Sequence, residues 1–210
     1  MPPAGTVVAG IDVGGSRKGF HAVVLSNGQY LDQTESPNPE DIVKWCRDHG
    51  TATVAVDAPC QWSLSGRARV SERALMAKKI WCFSTPSQAI AQTKLFYEWM
   101  LHGARLYRLL TPHFSLYCGT GKMNRTTCFE TFPHAVACAL AGEKLSARNK
   151  RADRRRLLAD NGVVTTQLSS IDYIDAALCA LVAHRFNSKA VEYYGDAAEG
   201  FIIVPATPTA

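Results

Sequence analysis

The 210-residue chain has no uninterrupted apolar run near the roughly 18–20 residues that a membrane span needs. Its longest apolar helical stretch, Ala176–Ala183, is far too short. No basic segment precedes the apolar stretch near the N-terminus, so no signal peptide is read there. The seven cysteines are odd in number, form no CxxC pair and show no dense spacing. They read as reduced thiols, mostly core, of a cytoplasmic protein. Internal repeats and low-complexity linkers are missing as well. Charge of one sign is barely in excess: Lys and Arg number 23 against 18 Asp and Glu, a net +5. That permits a nucleic-acid partner without requiring one. With 47% hydrophobic and 20% charged residues, collagen, coiled coil and wholesale disorder are excluded. The length suits one domain, residues 1–210. Oligomeric state stays open, a homodimer included.

What is present reads as alternating strands and helices. Thr6–Val13, Gly19–Leu25 and Gln29–Glu35 are strands, the last two joined by the hairpin signal Asn27-Gly28. Ser36-Pro37-Asn38-Pro39 ends the sheet and starts a helix, Glu40–His49. Thr51–Asp57 is a buried strand stopped by Pro59. This order predicts an antiparallel meander followed by a helical crossover to a parallel neighbour. Helices are expected at Gly66–Ile80 and within Ser87–Leu110, and a loop at His113–Met123. A strand, Thr127–Phe132, precedes a helix, His134–Ala141. Helices at Asn149–Asp160 and Ile171–Phe186, a strand at Gly200–Val204 and a tail complete the chain. The fold class is α/β, with a helical insertion at about residues 60–125.

The acids stand in unusual places. Asp12 ends an apolar strand, Asp57 ends another, and Glu130 lies in a third. Asp172 and Asp175 share one side of the most apolar helix at i, i+3. Any one of them could cap a helix or pair with an arginine. Several together, in settings that penalise charge, fit a shared site better. Gathered carboxylates repel, and a divalent cation relieves the repulsion. All-oxygen donors favour Mg²⁺ or Mn²⁺. Two such ions can activate a water against a phosphodiester.

Gly10-Ile11-Asp12-Val13-Gly14, Val56-Asp57-Ala58-Pro59, Glu130-Thr131-Phe132-Pro133, Asp172-Tyr173-Ile174-Asp175-Ala176-Ala177 and Gly200-Phe201-Ile202-Ile203-Val204-Pro205 resemble domain-of-unknown-function family 429. The motifs run in order from residue 10 to residue 205. That family is described as predicted nucleases of ribonuclease-H-like fold. The resemblance implies a mixed sheet, an antiparallel three-strand meander plus parallel strands, flanked by helices. It implies a metal site of Asp12, Asp57, Glu130 and Asp175 with Asp172 beside them, and metal-bound water as nucleophile. Asp172 and Asp175 resemble the last-helix acids of RuvC-like resolvases. Those enzymes often carry Glu on the fourth strand, where this chain has the shorter Asp57. Arg67 and Arg73 resemble the family's pattern and are the expected substrate contacts.

Other features admit two readings. Gly14-Gly15 either lets a phosphate approach the backbone or only turns the chain. Gly119-Thr120-Gly121-Lys122 fails as a P-loop, because positions 116 and 123 are Leu and Met; Lys122 and Arg125 remain candidate phosphate contacts. The run Arg148, Lys150, Arg151, Arg154, Arg155, Arg156 is either a solvated helix face or a phosphate-tracking patch. Cys118, Cys128, His134 and Cys138 match no zinc spacing. Cys60 reads as a packed small residue rather than a nucleophile. Trp62, Trp81, Phe83 and Trp99 are core, lid or base-stacking surfaces. Two alternatives to a nuclease follow: an inactive nucleotide- or RNA-binding module of the same fold, and a metal-dependent hydrolase of small phosphate esters.

Overall fold

The computed structural model describes residues 6–119 and 126–207. Strands β1 (Val7–Val13), β2 (Phe20–Ser26) and β3 (Gln29–Ser36) form the antiparallel meander. Asn27 and Gly28 make the hairpin turn with φ of 51° and 78°, a region that glycine enters freely and asparagine tolerates. Helix α1 (Pro39–Asp48) opens on a proline whose missing N–H costs nothing at that position. It crosses to β4 (Thr53–Asp57), which pairs in parallel with β1.

The insertion follows as α2 (Val70–Ala77), α3 (Gln88–Ala91), α4 (Glu98–Leu110) and the two-residue β5 (Ser115–Leu116). Then come β6 (Thr127–Glu130), α5 (Pro133–Ala141), α6 (Lys150–Asp160), α7 (Ile171–Asn187), β7 (Val191–Asp196) and β8 (Gly200–Pro205). The sheet order is β3-β2-β1-β4-β6-β8-β7, with β5 beside β6. Strands β4, β6 and β8 continue the meander in parallel, and helices cover both faces. This is the mixed sheet, an antiparallel meander plus parallel strands flanked by helices, that the resemblance implies.

Three elements differ from expectation. Strand β7 was not predicted: it is an edge strand, mostly half-exposed, so no apolar alternation marks it. Strand β5 falls in the segment read as loop. Helix α2 begins at Val70, because Arg69 is extended and caps it. Lys122 and Arg125 lie outside the described residues. Among the described residues no helix is long and apolar enough to cross a membrane.

Period-two alternation sends successive side chains to opposite faces of the sheet. Val8, Ala55 and Phe129 pack under α7, whereas Ala9, Ile11, Val54, Val56 and Cys128 pack under α1 and α4. Helix α7 is buried on nearly its whole circumference, from Tyr173 to Phe186. That explains its lack of a polar face, and it makes every acid on it costly.

Candidate functional site

Asp12 and Asp57 are the last acids of two neighbouring parallel strands, and they are register partners across the β1–β4 ladder. Both follow, two residues on, positions on the α7 side: Gly10 approaches α7, and Ala55 packs beneath it. The same alternation turns both carboxyls toward that helix. They come within hydrogen-bonding reach of each other. Burial pushes the Asp12 carboxyl up to about 8, with the charges of Asp175 and Asp172 adding to the rise. Burial, then Asp12 and Asp175, hold Asp57 well above the usual carboxylate range. Two acids so placed share a proton or a cation rather than both standing ionised.

Helix α7 runs antiparallel to β1, so its N-terminus arrives at the carboxyl ends of β1 and β4. The Ser170 side chain caps it, accepting from the Tyr173 N–H at 3.1 Å. Asp172 lies in the first turn and Asp175 just beyond, where the helix dipole favours anions. Each has found a cation of the chain. Lys18 Nζ stands 2.8 Å from Asp172 Oδ1, with most of the lysine exposed. Arg154 Nη1 donates to Asp175 Oδ1, and these residues are 7% and 8% exposed. Burial nevertheless leaves Asp175 raised, against the pull of Arg154. Among the described residues no group of three His, Cys, Asp or Glu is set to hold a metal.

Glu130 does not join the aspartates. It is the register partner of Val56, one residue short of Asp57, and alternation turns it to the opposite face. There its oxygens accept from Arg69 Nη1 at 2.8 Å and Nη2 at 2.5 Å, and the Cys60 N–H donates at 2.9 Å. Arg69 is 1% exposed and also reaches Glu72 Oε1 at 2.8 Å and the Glu199 carbonyl at 3.1 Å. Glu72 in turn accepts from the Thr85 amide at 3.0 Å. This buried network fastens the insertion to β6 and to the β7–β8 turn.

The basic run is largely the solvated face expected, with four of its six residues exposed, but Arg154 is buried. Arg151 and Arg155 donate to the carbonyls of Ser169 and Leu168, each at 2.6 Å, clamping the segment that leads into α7. Arg156 pairs with Asp160 at 3.1 Å. Arg148 and Lys150 are exposed. The sequence did carry a sign of Arg154's role: it shares a helix face with the buried Leu157 and Leu158. Lys18, Glu98, Arg69 and Glu72 had no such sign.

Gly14 and Gly15 form the β1–β2 turn, where the Ser16 N–H donates to Glu98 Oε2 at 3.1 Å. An amide that a phosphate could take thus holds a carboxylate. Arg67 and Arg73 are exposed, and Arg73 Nη1 donates to the Ala68 carbonyl. Cys60 has its thiol held well above its ordinary pKa by burial, which suits packing and not attack. Cys128 bonds the Phe114 carbonyl at 3.3 Å, away from His134 and Cys138. No disulfide joins the described cysteines.

A cleft of about 610 Å³, counting space open to solvent, adjoins the acids. Asp57 and Glu130 border it, and Val13, Pro59, Phe83, Trp99 and Phe132 supply its apolar walls. Phe83 is 63% exposed and meets Phe96 edge-on, ring centroids 5.4 Å apart.

Over residues 10–199 the chain matches the family described as "Protein of unknown function (DUF429)". No curated protein matches it. A solved structure of Thermus thermophilus RuvC is similar at 15% identity and a TM-score of 0.46, over 88% of this chain and 97% of that one.

Proposed function

The chain belongs to this DUF429 family, and from that premise, which carries no activity of its own, we propose that it is a divalent-cation-dependent phosphodiester hydrolase acting on nucleic acid. One observation carries the reading: Asp12 and Asp57 oppose each other in register at adjacent strand ends, with both carboxyls raised. A cation beside such a pair relieves the repulsion between the two carboxylates. Mg²⁺ is commonly held by one or two carboxylates, with waters and substrate phosphate completing its shell. The donor set therefore fits Mg²⁺ or Mn²⁺, with Asp12 and Asp57 as the residues that would hold it.

A divalent ion bound there would lower the pKa of water and screen the charge of the phosphate. The chain's own residues do the rest. Asp12 and Asp57 orient the site from rigid strand ends. Asp175 and Asp172 add negative potential, partly offset by Arg154 and Lys18. Glu130 fastens Arg69 and shapes the cleft instead of binding the ion. Phe83 and Trp99 offer apolar faces to a sugar or base next to the scissile phosphate. Arg67 and Arg73 are exposed for the phosphates beyond it.

The test is a cleavage screen of single- and double-stranded RNA and DNA in Mg²⁺ or Mn²⁺, with EDTA and Asp12→Asn as controls. Wild-type turnover that both controls abolish is expected. Undiminished cleavage by Asp12→Asn sinks the assignment. A second reading, a non-catalytic nucleotide- or RNA-binding module, draws on the Asp175–Arg154 pair, which neutralises one acid without any metal. Tight, salt-sensitive binding in EDTA with no turnover favours it.

A further inference from the structure

Arg154 is a guanidinium buried against Asp175, and its placement is not casual. Arg151 and Arg155, on either side of it along α6, are fixed to backbone carbonyls just before α7. Arg154 is thereby delivered from a clamped helix onto Asp175, with its charge also felt at Asp57. Lys18 is a different kind of partner. It is 61% exposed at the side chain and reaches Asp172 from a turn, so solvent competes for it.

The charges set a limit on what else can enter. Asp12, Asp57, Asp172 and Asp175 bring four negative charges when ionised, and Arg154 and Lys18 bring two positive ones. One divalent cation makes up the difference. A second would have to share Asp175 with a buried guanidinium, at close range and in a poorly screened setting.

We propose that this site takes a single divalent cation, held by Asp12 and Asp57, and that Arg154 is a built-in positive charge standing where a second ion would otherwise bind. The proposal rests on the metal-dependent reading above and specifies its ion count. Asp175 is then a positioning residue for Arg154 rather than a primary ligand. With an ion held by Asp12 and Asp57, the Arg154 guanidinium would supply a second, fixed positive charge to the anion that develops in phosphodiester cleavage.

The experiment is a Mn²⁺ titration of the full chain by calorimetry, with free Mn²⁺ counted by electron paramagnetic resonance. Wild type is expected to bind one Mn²⁺ per chain, a number that Asp12→Asn abolishes. Arg154→Met is expected to take up a second Mn²⁺, or to hold the first about tenfold or more tightly. Arg154→Lys, which keeps the charge, is expected to retain one. Two Mn²⁺ on the wild type overturn the proposal, as does an Arg154→Met protein that titrates like the wild type. If Arg154→Met does not fold, the wild-type count decides alone. One Mn²⁺ without cleavage of any nucleic acid sinks the nuclease reading and leaves the ion count standing. Two Mn²⁺ with cleavage do the reverse, and no bound Mn²⁺ removes both.

Discussion

Gly10 lies so close to Ala176 that a Cβ on it would stand 2.1 Å from the Ala176 carbonyl oxygen. It would also stand 2.1 Å from the Ala180 amide nitrogen. Both neighbours are backbone, so neither can rotate away. The absent side chain lets α7 settle directly on β1, and that contact brings Asp175 to Asp12 two residues further along the strand. The glycine serves the site by its size.

Gly10→Ala is therefore expected to lift α7 from the sheet. Overpacking a well-filled core costs about 1–3 kcal/mol, occasionally more, and backbone on both sides puts this case at the upper end. Denaturant unfolding should show the loss. The same variant should bind Mn²⁺ more weakly if it folds, because Asp172 and Asp175 ride on the displaced helix and their negative charge at Asp12 falls. Wild-type stability in Gly10→Ala would show that α7 does not rest there.

The raised carboxyls predict a pH slope of stability in the metal-free protein. Folded Asp12 keeps its proton up to about 8, whereas the unfolded residue releases it near the ordinary 3.8. Between those values the folded state binds more protons. Its stability is fully present below the lower value and declines as pH rises toward the upper. Asp57 and Asp175 are raised as well and add to the slope. Thermal unfolding in EDTA should give a falling Tm from about pH 5 to about pH 8. Asp12→Asn should flatten the fall and be the more stable protein at the alkaline end. Identical slopes for the two proteins would contradict the shared burial.

Arg69→Met should separate architecture from chemistry. It leaves Glu130 and Glu72 buried without their cation, and breaking such a pair costs about 3–5 kcal/mol. The insertion should loosen, which hydrogen exchange around Thr85 would report. Glu130→Gln keeps partial hydrogen bonding and should lose less. Mn²⁺ affinity should survive Glu130→Gln within a few-fold. Abolished metal binding in that variant would return Glu130 to the ligand set.

Phe83→Ala should weaken oligonucleotide binding without touching the ion. Stacking a base on an aromatic ring is worth about 1–3 kcal/mol by alanine substitution, roughly a 5- to 150-fold loss. Fluorescence anisotropy in EDTA would measure it. Equal affinities for both proteins would assign the exposed ring to some other use.

Much of the fold was readable along the chain. Asn27-Gly28 marked the hairpin, Pro39 and Pro133 marked helix starts, and short apolar runs marked β1, β4 and β6. Strand β7 escaped because an edge strand with half-exposed residues shows no alternation. The insertion was harder, since Arg69 and Glu72 look like surface residues of a charged helix until Glu130 buries them. Four of the five acids read as a group stand near enough to feel one another's charge. Glu130 pairs with Arg69 on the other face, and that face depends on a register that sequence does not display.

The sequence by itself determined the local elements and the presence of acids where acids are expensive. Those follow from periodicity, turn stereochemistry and the cost of burying charge, all properties of short segments. Only the tertiary structure decided which acids face one another and which cations meet them. Pairing Asp12 with Asp57, turning Glu130 to the other face and swinging Arg154 onto Asp175 each depend on strand register or helix docking. Contacts between distant segments set both, and a one-residue shift in either would reverse the outcome.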